Sequence, residues 1–133
     1  MSLMTWTKEQ YGTGVSLHDG EHQQLFELVN GLNAAVQKKD RASTGSQLDA
    51  LIGFVAKHFA SEEASMTRAG YSGVVAHKAE HSKLVETCLD LQKKFHAGQA
   101  EITPDTLGFV KSWLDQHIPQ VDRAYGPAIT AQS

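Results

Sequence analysis

Four separate segments of the chain carry apolar stripes at helical spacing, and every stripe has a histidine in it or at its end. Leu25, Leu28, Val29, Leu32, Ala35 and Val36 form the first, with His22 three residues ahead of Leu25. Leu48, Leu51, Ile52, Val55 and Phe59 form the second, which His58 and Glu62 continue. The third is Val74, His77, His81, Leu84, Cys88, Leu91 and Phe95, and the fourth is Leu107, Val110, Leu114 and His117. Recurrence every three or four residues marks a helix with one buried face. No segment alternates as a strand would, so the four stripes have only one another to pack against. The expected fold class is all-α: an up-down-up-down antiparallel four-helix bundle.

The breaks between stripes agree with this. KKDRASTGS reads as the first link, RAGYSG as a turn with Gly70 as a C-terminal cap, and HAGQAEI as the last link. Thr103 followed by Pro104 is a strong helix start, an N-cap with proline at the first helical position. The opening MSLMTWTKEQYGTGVSLHDG has no helical period and is expected to be an ordered arm, packing Trp6 and Tyr11 onto the body, with helix beginning near Asp19. A chain of 133 residues forms a single domain. The arm covers about 1–18 and the bundle about 19–122, followed by a short C-terminal tail.

A formal charge of −3 gives no electrostatic footprint for nucleic acid. The single cysteine, Cys88, excludes an intrachain disulfide and fits a reducing compartment. No apolar run approaches the length of a membrane span and the N-terminus has no signal-peptide pattern, so the expected location is cytoplasmic, with no membrane partner.

Residues four apart on a helix are offset by only about 40°, so His58 and Glu62 point the same way, as do His77 and His81. Each pair can grip one ion, and both lie on the faces that carry the core leucines, where bundles build metal sites. One such histidine could be satisfied by a neighbouring carbonyl. Five on the inward stripes of four helices, with a carboxylate among them, would cost several kcal/mol each without a compensating partner. Asp122 is the least obvious member, because five residues of ideal helix turn it roughly 140° away from His117. Pro119 interrupts the ladder between them and offers a way to re-aim the chain.

These motifs resemble the hemerythrins, specifically the single-domain bacterial ones: H (His22), H-x3-E (His58, Glu62), H-x3-H (His77, His81) and H-x4-D (His117, Asp122). GVSLHDGEHQQLFELVN, HFASEE, the GY turn and WLDQHI match as well, so the resemblance spans nearly the whole chain. It implies that His77, His81 and His117 hold one iron, that His22 and His58 hold the other, and that Glu62 and Asp122 bridge them. The implied cofactors are two iron ions (Fe2+/Fe3+) with a bridging oxo or hydroxo group, with O2 as ligand. Counting bonds from these ligands and the bridge leaves one position open, on the iron of His22 and His58.

The implied function is reversible dioxygen binding for storage or delivery, not catalysis. The ferritin-like di-iron sites that activate oxygen use carboxylate-rich Glu-x-x-His motifs, and this sequence contains none. The alternatives are an oxygen or redox sensor acting through the arm around Trp6, and an enzyme reducing nitric oxide or peroxide. The implied partners are dioxygen and an oxygen-consuming enzyme as recipient; the chain is expected to be a monomer. Bound oxygen needs a dry pocket, for which Leu114, Phe59 and Trp113 are the candidate walls. His18, where the family pattern leads us to expect an aliphatic residue, is expected to be a surface or capping residue, and His96 to be exposed.

Overall fold

The computed structural model describes residues 3–131. Residues 1–2 and 132–133, the ends of the expected domain, lie outside the described residues. The elements are α1 (Lys8–Tyr11), α2 (Ser16–Gln37), α3 (Arg41–Ala69), α4 (Val74–His96), α5 (Pro104–His117), a π-helical turn (Ile118–Asp122) and α6 (Arg123–Thr130). The long helices α2, α3, α4 and α5 form the bundle. Helix α3 packs on both α2 and α4, and α2 meets α5. Its core is the expected stripes: Leu25, Val29 and Leu32 on α2, Leu48, Ile52 and Val55 on α3, Leu84 and Phe95 on α4, Leu107 and Leu114 on α5, all buried.

Local chemistry sets the helix ends. Asp40 caps α3 by accepting from Ser43 N at 3.1 Å, and Gly70 closes it in the left-handed region at φ 68°. Thr103 caps α5, with Thr106 reciprocating in a capping box and Pro104 in the first turn. Two expected boundaries move. Helix α2 starts at Ser16, three residues before Asp19, and Asp19 accepts from Thr13 N and Thr13 Oγ1 at 2.9 and 2.8 Å. The link after α2 is only three residues, because the Asp40 cap starts a helix through the ASTGS segment that composition had marked as a break.

The arm is ordered, as expected, and contains the short helix α1. Tyr11 is buried, edge-on to Phe26 at 4.8 Å, and donates to Asp115 Oδ1 at 2.6 Å, while Trp6 is half-buried against the core. Arg123 donates to the carbonyls of Glu9, Gln10 and Gly12 at 3.1, 2.9 and 3.0 Å. A Cβ on Gly126 would lie 2.1 Å from the Thr13 carbonyl oxygen, so only glycine admits this approach. The expected C-terminal tail is therefore helical from Arg123 to Thr130 and clasped to the arm.

Candidate metal centre

Seven side chains from four helices and the π turn converge in one layer of the bundle. His22, His58, Glu62, His77, His81, His117 and Asp122 are all essentially excluded from solvent. They fall into two donor groups that share one carboxylate: His77, His81, His117 and Asp122, and His22, His58, Glu62 and Asp122. Glu62 also spans both, with Oε1 3.3 Å from His58 Nε2 and 3.4 Å from His81 Nε2, and Oε2 3.2 Å from His22 Nε2. Asp122 places Oδ1 2.8 Å from His77 Nε2 and 2.9 Å from His117 Nε2, and Oδ2 3.0 Å from His22 Nε2.

The π turn explains how Asp122 arrives. Pro119 has no N–H to offer the helical ladder, and the hydrogen bonding shifts by one residue: Arg123 N–H donates to Ile118 O, five positions back. This wider turn brings residues five apart onto one face. His117 and Asp122 therefore converge although an α-helix would separate them.

The residues fit a pair of metal ions on the evidence of their own unsatisfied atoms. His22 Nε2, His81 Nε2, Glu62 Oε1 and Asp122 Oδ1 are buried and, close as their neighbours stand, none is aligned to make a hydrogen bond, an arrangement that proteins avoid unless something else satisfies the group. Nε2 of His77 and of His117 face one another at 3.2 Å. Two ligands at right angles on one ion, each about 2.1 Å from it, would stand about 3 Å apart. Without an ion, protons substitute. Burial opposes a charged His22, but Asp122 and Glu62 outweigh it and push its pKa up to about 10. Burial and the Asp122 charge oppose ionised Glu62, yet His22, His81 and His58 hold it at about 2. Asp122 is held well below its ordinary value by His117, His22 and His77, against its burial.

A ring of glutamates outside this layer orients three histidines. Glu21 on α2 accepts from His58 Nδ1 on α3 at 2.9 Å; Glu63 on α3 accepts from His81 Nδ1 on α4 at 2.9 Å; Glu80 on α4 accepts from His117 Nδ1 on α5 at 3.2 Å. Each carboxylate is the sequence neighbour of an inner residue (His22, Glu62, His81) and serves the next helix round. A carboxylate on the remote ring nitrogen fixes the tautomer and strengthens the ligand. Sequence reading missed all three, although each stands beside a ligand in GEH, SEE and AEH.

It also missed Tyr125, which is fully buried, donates to Glu62 Oε2 at 2.5 Å and stacks on His77 at 5.8 Å and 19°. Burial first, then the charges of Glu62 and Asp122, push its pKa far above the ordinary tyrosine value, so it stays a phenol donor. Phe59 stacks on His81 at 3.7 Å and 3°, and Trp113 on His117 at 4.1 Å and 16°. His18 corrects the sequence expectation. It is fully buried, because the earlier start of α2 puts it one turn before His22 on the same inward face. His96 is exposed, as expected, and bonds Asp49 at 2.7 Å.

One helical turn from the donor layer lies a cavity of about 30 Å³ lined by apolar groups, among them Phe59 and Trp113. Leu25, Val55, Leu84 and Leu114 also line it. Each stands three residues from a ligand of its own helix, after His22, before His58, after His81 and before His117. That alternation of sign is what antiparallel neighbours produce. The space could admit a water-sized molecule but offers it no hydrogen-bond partner, so it stays dry.

Comparison with known proteins agrees with this architecture. Residues 13–129 match the Hemerythrin HHE cation binding domain family. A bacteriohemerythrin of Methylococcus capsulatus is 52% identical over 98% of this chain and 100% of its own length, and one from Pseudomonas aeruginosa is 30% identical over 97% and 83%. The crystal structure of a wild-type hemerythrin superposes with a TM-score of 0.95 at 51% identity, covering 97% of this chain and 99% of that one. Its L114A mutant gives 0.96 with coverage of 98% and 99%. On these grounds, with a bundle interior that gathers five histidines and two shared carboxylates, the chain belongs to the hemerythrin family, among its single-domain bacterial members.

Proposed function

We propose that the chain binds dioxygen reversibly at a carboxylate-bridged di-iron centre, with His77, His81 and His117 on one iron, His22 and His58 on the other, and Glu62 and Asp122 bridging. The observation that carries this reading is the pair of nitrogen-rich donor groups sharing a carboxylate, one helical turn from an apolar cavity. Two irons held by these residues would supply the electrons needed for reversible oxygen binding. The chain's own residues do the rest. Glu21, Glu63 and Glu80 fix three histidine rings, Tyr125 holds the Glu62 carboxylate by its phenolic proton, and Phe59 and Trp113 clamp the rings of His81 and His117. Leu114, with Phe59 and Trp113, forms the wall that keeps water from the oxygen-binding side.

Proteins of this family are typically oxygen carriers, not enzymes, and the donor set is poorer in anionic oxygen than the carboxylate-rich sites that activate oxygen. No helix among the described residues is long and apolar enough to cross a membrane. We place the protein in the cytoplasm as a monomer that delivers oxygen to an oxygen-consuming enzyme. The test is a visible spectrum of iron-loaded, anaerobically reduced protein, recorded after adding oxygen and again after sweeping with argon. A charge-transfer band that appears and then disappears is expected. Direct, irreversible conversion to the ferric spectrum would overturn oxygen carriage.

A further inference from the structure

His18 is bonded at both ring nitrogens, and neither partner is a metal-ligand position. Its Nδ1 lies 2.8 Å from Glu21 Oε1 and its Nε2 lies 2.9 Å from Ser65 Oγ. The tautomer follows from the partners. An ionised carboxylate only accepts, so Nδ1 carries the proton, and Nε2 then accepts from the Ser65 hydroxyl. Glu21 Oε1 is the same atom that receives His58 Nδ1 at 2.9 Å. A closed relay therefore runs from Ser65 on α3 through His18 and Glu21 on α2 and back to His58 on α3, two turns from where it began.

This relay sets Glu21 apart from the other two ring-orienting glutamates. Its side chain is 20% exposed, against 25% for Glu63 and 47% for Glu80. Among the described residues, it is the only one of the three that also bonds a fully buried second histidine. The His18 ring also stands edge-on between His58 at 6.2 Å and Tyr125 at 5.5 Å, so it cannot swing away without disturbing both. An aliphatic residue in its place would leave the Ser65 hydroxyl buried without a partner and would free Glu21 to turn toward solvent.

We propose that His18 is a positioning residue of the metal centre: by tying Glu21 to Ser65, it holds the Glu21 carboxylate on His58 Nδ1 and fixes the direction in which His58 Nε2 faces the ion it shares with His22. The proposal deepens the di-iron reading and rests on it. The consequence falls on one ion only. That ion has two histidines where its neighbour has three, so a loosened His58 removes half of its nitrogen ligation.

The experiment compares wild type with His18→Leu, His18→Gln and Ser65→Ala in two measurements. In metal-free protein labelled with ¹⁵N-histidine, the His58 Nδ1–H resonance reports whether Glu21 still holds the ring. In ferrous protein kept anaerobic, transfer of iron to a ferrous chelator reports retention of each ion. His18→Leu is expected to abolish the wild-type resonance and to speed loss of one iron about tenfold, the lower end of what removing an orienting partner costs in metal affinity, with the second iron leaving at the wild-type rate. His18→Gln, whose amide can donate to Glu21 and accept from Ser65, is expected to restore both readouts substantially. A wild-type resonance with wild-type release of both irons in His18→Leu overturns the proposal. Equal acceleration of both irons, unrescued by glutamine, also overturns it and leaves His18 a packing residue. Should His18→Leu not fold, Ser65→Ala gives the same measurements with little change in volume: a shift in the same direction supports the relay, and no shift overturns it. If the wild type itself holds no iron, the metal reading fails, while the metal-free resonance still decides whether His18 orders His58.

Discussion

Tyr125→Phe isolates one hydrogen bond. The substitution keeps the ring, and with it the stacking on His77 at 5.8 Å and 19°, and removes only the hydroxyl that donates to Glu62 Oε2. Both partners are fully buried, so no solvent can take the donor's place. A hydrogen bond to a charged group contributes about 1.5–3 kcal/mol, and leaving one buried partner unsatisfied moves the cost toward the upper part of that range. Only a hydroxyl oxygen is lost, so the cavity term is small. The expected loss is about 2.5 kcal/mol in the metal-free protein, equivalent to a fall of about 7–12 °C in melting temperature for a domain of this size. The assay is urea denaturation of metal-free wild type and variant with the slopes compared, since an unchanged slope confines the effect to stability. Tyr125 remains protonated across the accessible range, so the difference should be the same at pH 6 and pH 8. A loss below about 0.5 kcal/mol would refute the reasoning, because it would mean that Glu62 does not depend on this donor.

Leu114→Ala enlarges a void that already exists, so the expected destabilisation lies within the roughly 2–5 kcal/mol range for such truncations, near 3–4 kcal/mol. The oxygen-bound protein should autoxidise faster in the same variant, and an unchanged rate would remove Leu114 from the pocket wall. The metal-free protein should have a bounded pH optimum. His22, raised to about 10 from 6.5, contributes stability fully present below 6.5 and lost as pH rises through 10. Glu62, lowered to about 2 from 4.5, contributes stability fully present above 4.5 and lost as pH falls through 2. Urea midpoints should therefore be highest between pH 4.5 and 6.5, and a midpoint still rising from pH 7 to 9 would contradict the charge arrangement.

The pairs His58 with Glu62 and His77 with His81 were legible because helical spacing alone dictates that they share a face. His22 and His117 followed from lying on apolar stripes. Spacing and Pro119 offered Asp122 as a residue that could be re-aimed, and the family resemblance made it a member of the set: no spacing argument yields the π turn, whose shifted bonding Pro119 permits without dictating. His18 was misread because its burial depends on where α2 begins, and three residues of helix decide which face it occupies. The start of α3 was misplaced by a glycine and several small polar residues. Gly45 stands inside the helix, where Phe95 packs 3.3 Å from the place its Cβ would take, a close approach visible only in three dimensions. The three outer glutamates escaped notice because adjacency to a ligand says nothing about which neighbouring helix a side chain will reach. Tyr125 lay beyond the last apolar stripe, in the segment expected to be a short C-terminal tail.

The clasp between Arg123 and the arm ties residues separated by more than a hundred positions, and it has a consequence for the order of assembly. Asp122, the donor common to both groups, follows every other donor in chain order and so emerges from the ribosome after them. Its neighbour Arg123 can find the carbonyls of Glu9, Gln10 and Gly12 only once the intervening helices exist, since so distant a closure must await the contacts that reward it. A nascent chain can therefore offer His58 with Glu62 on α3, and His77 with His81 on α4, before it can offer a complete pocket. The full set of donors is then assembled only when α6 closes onto the arm.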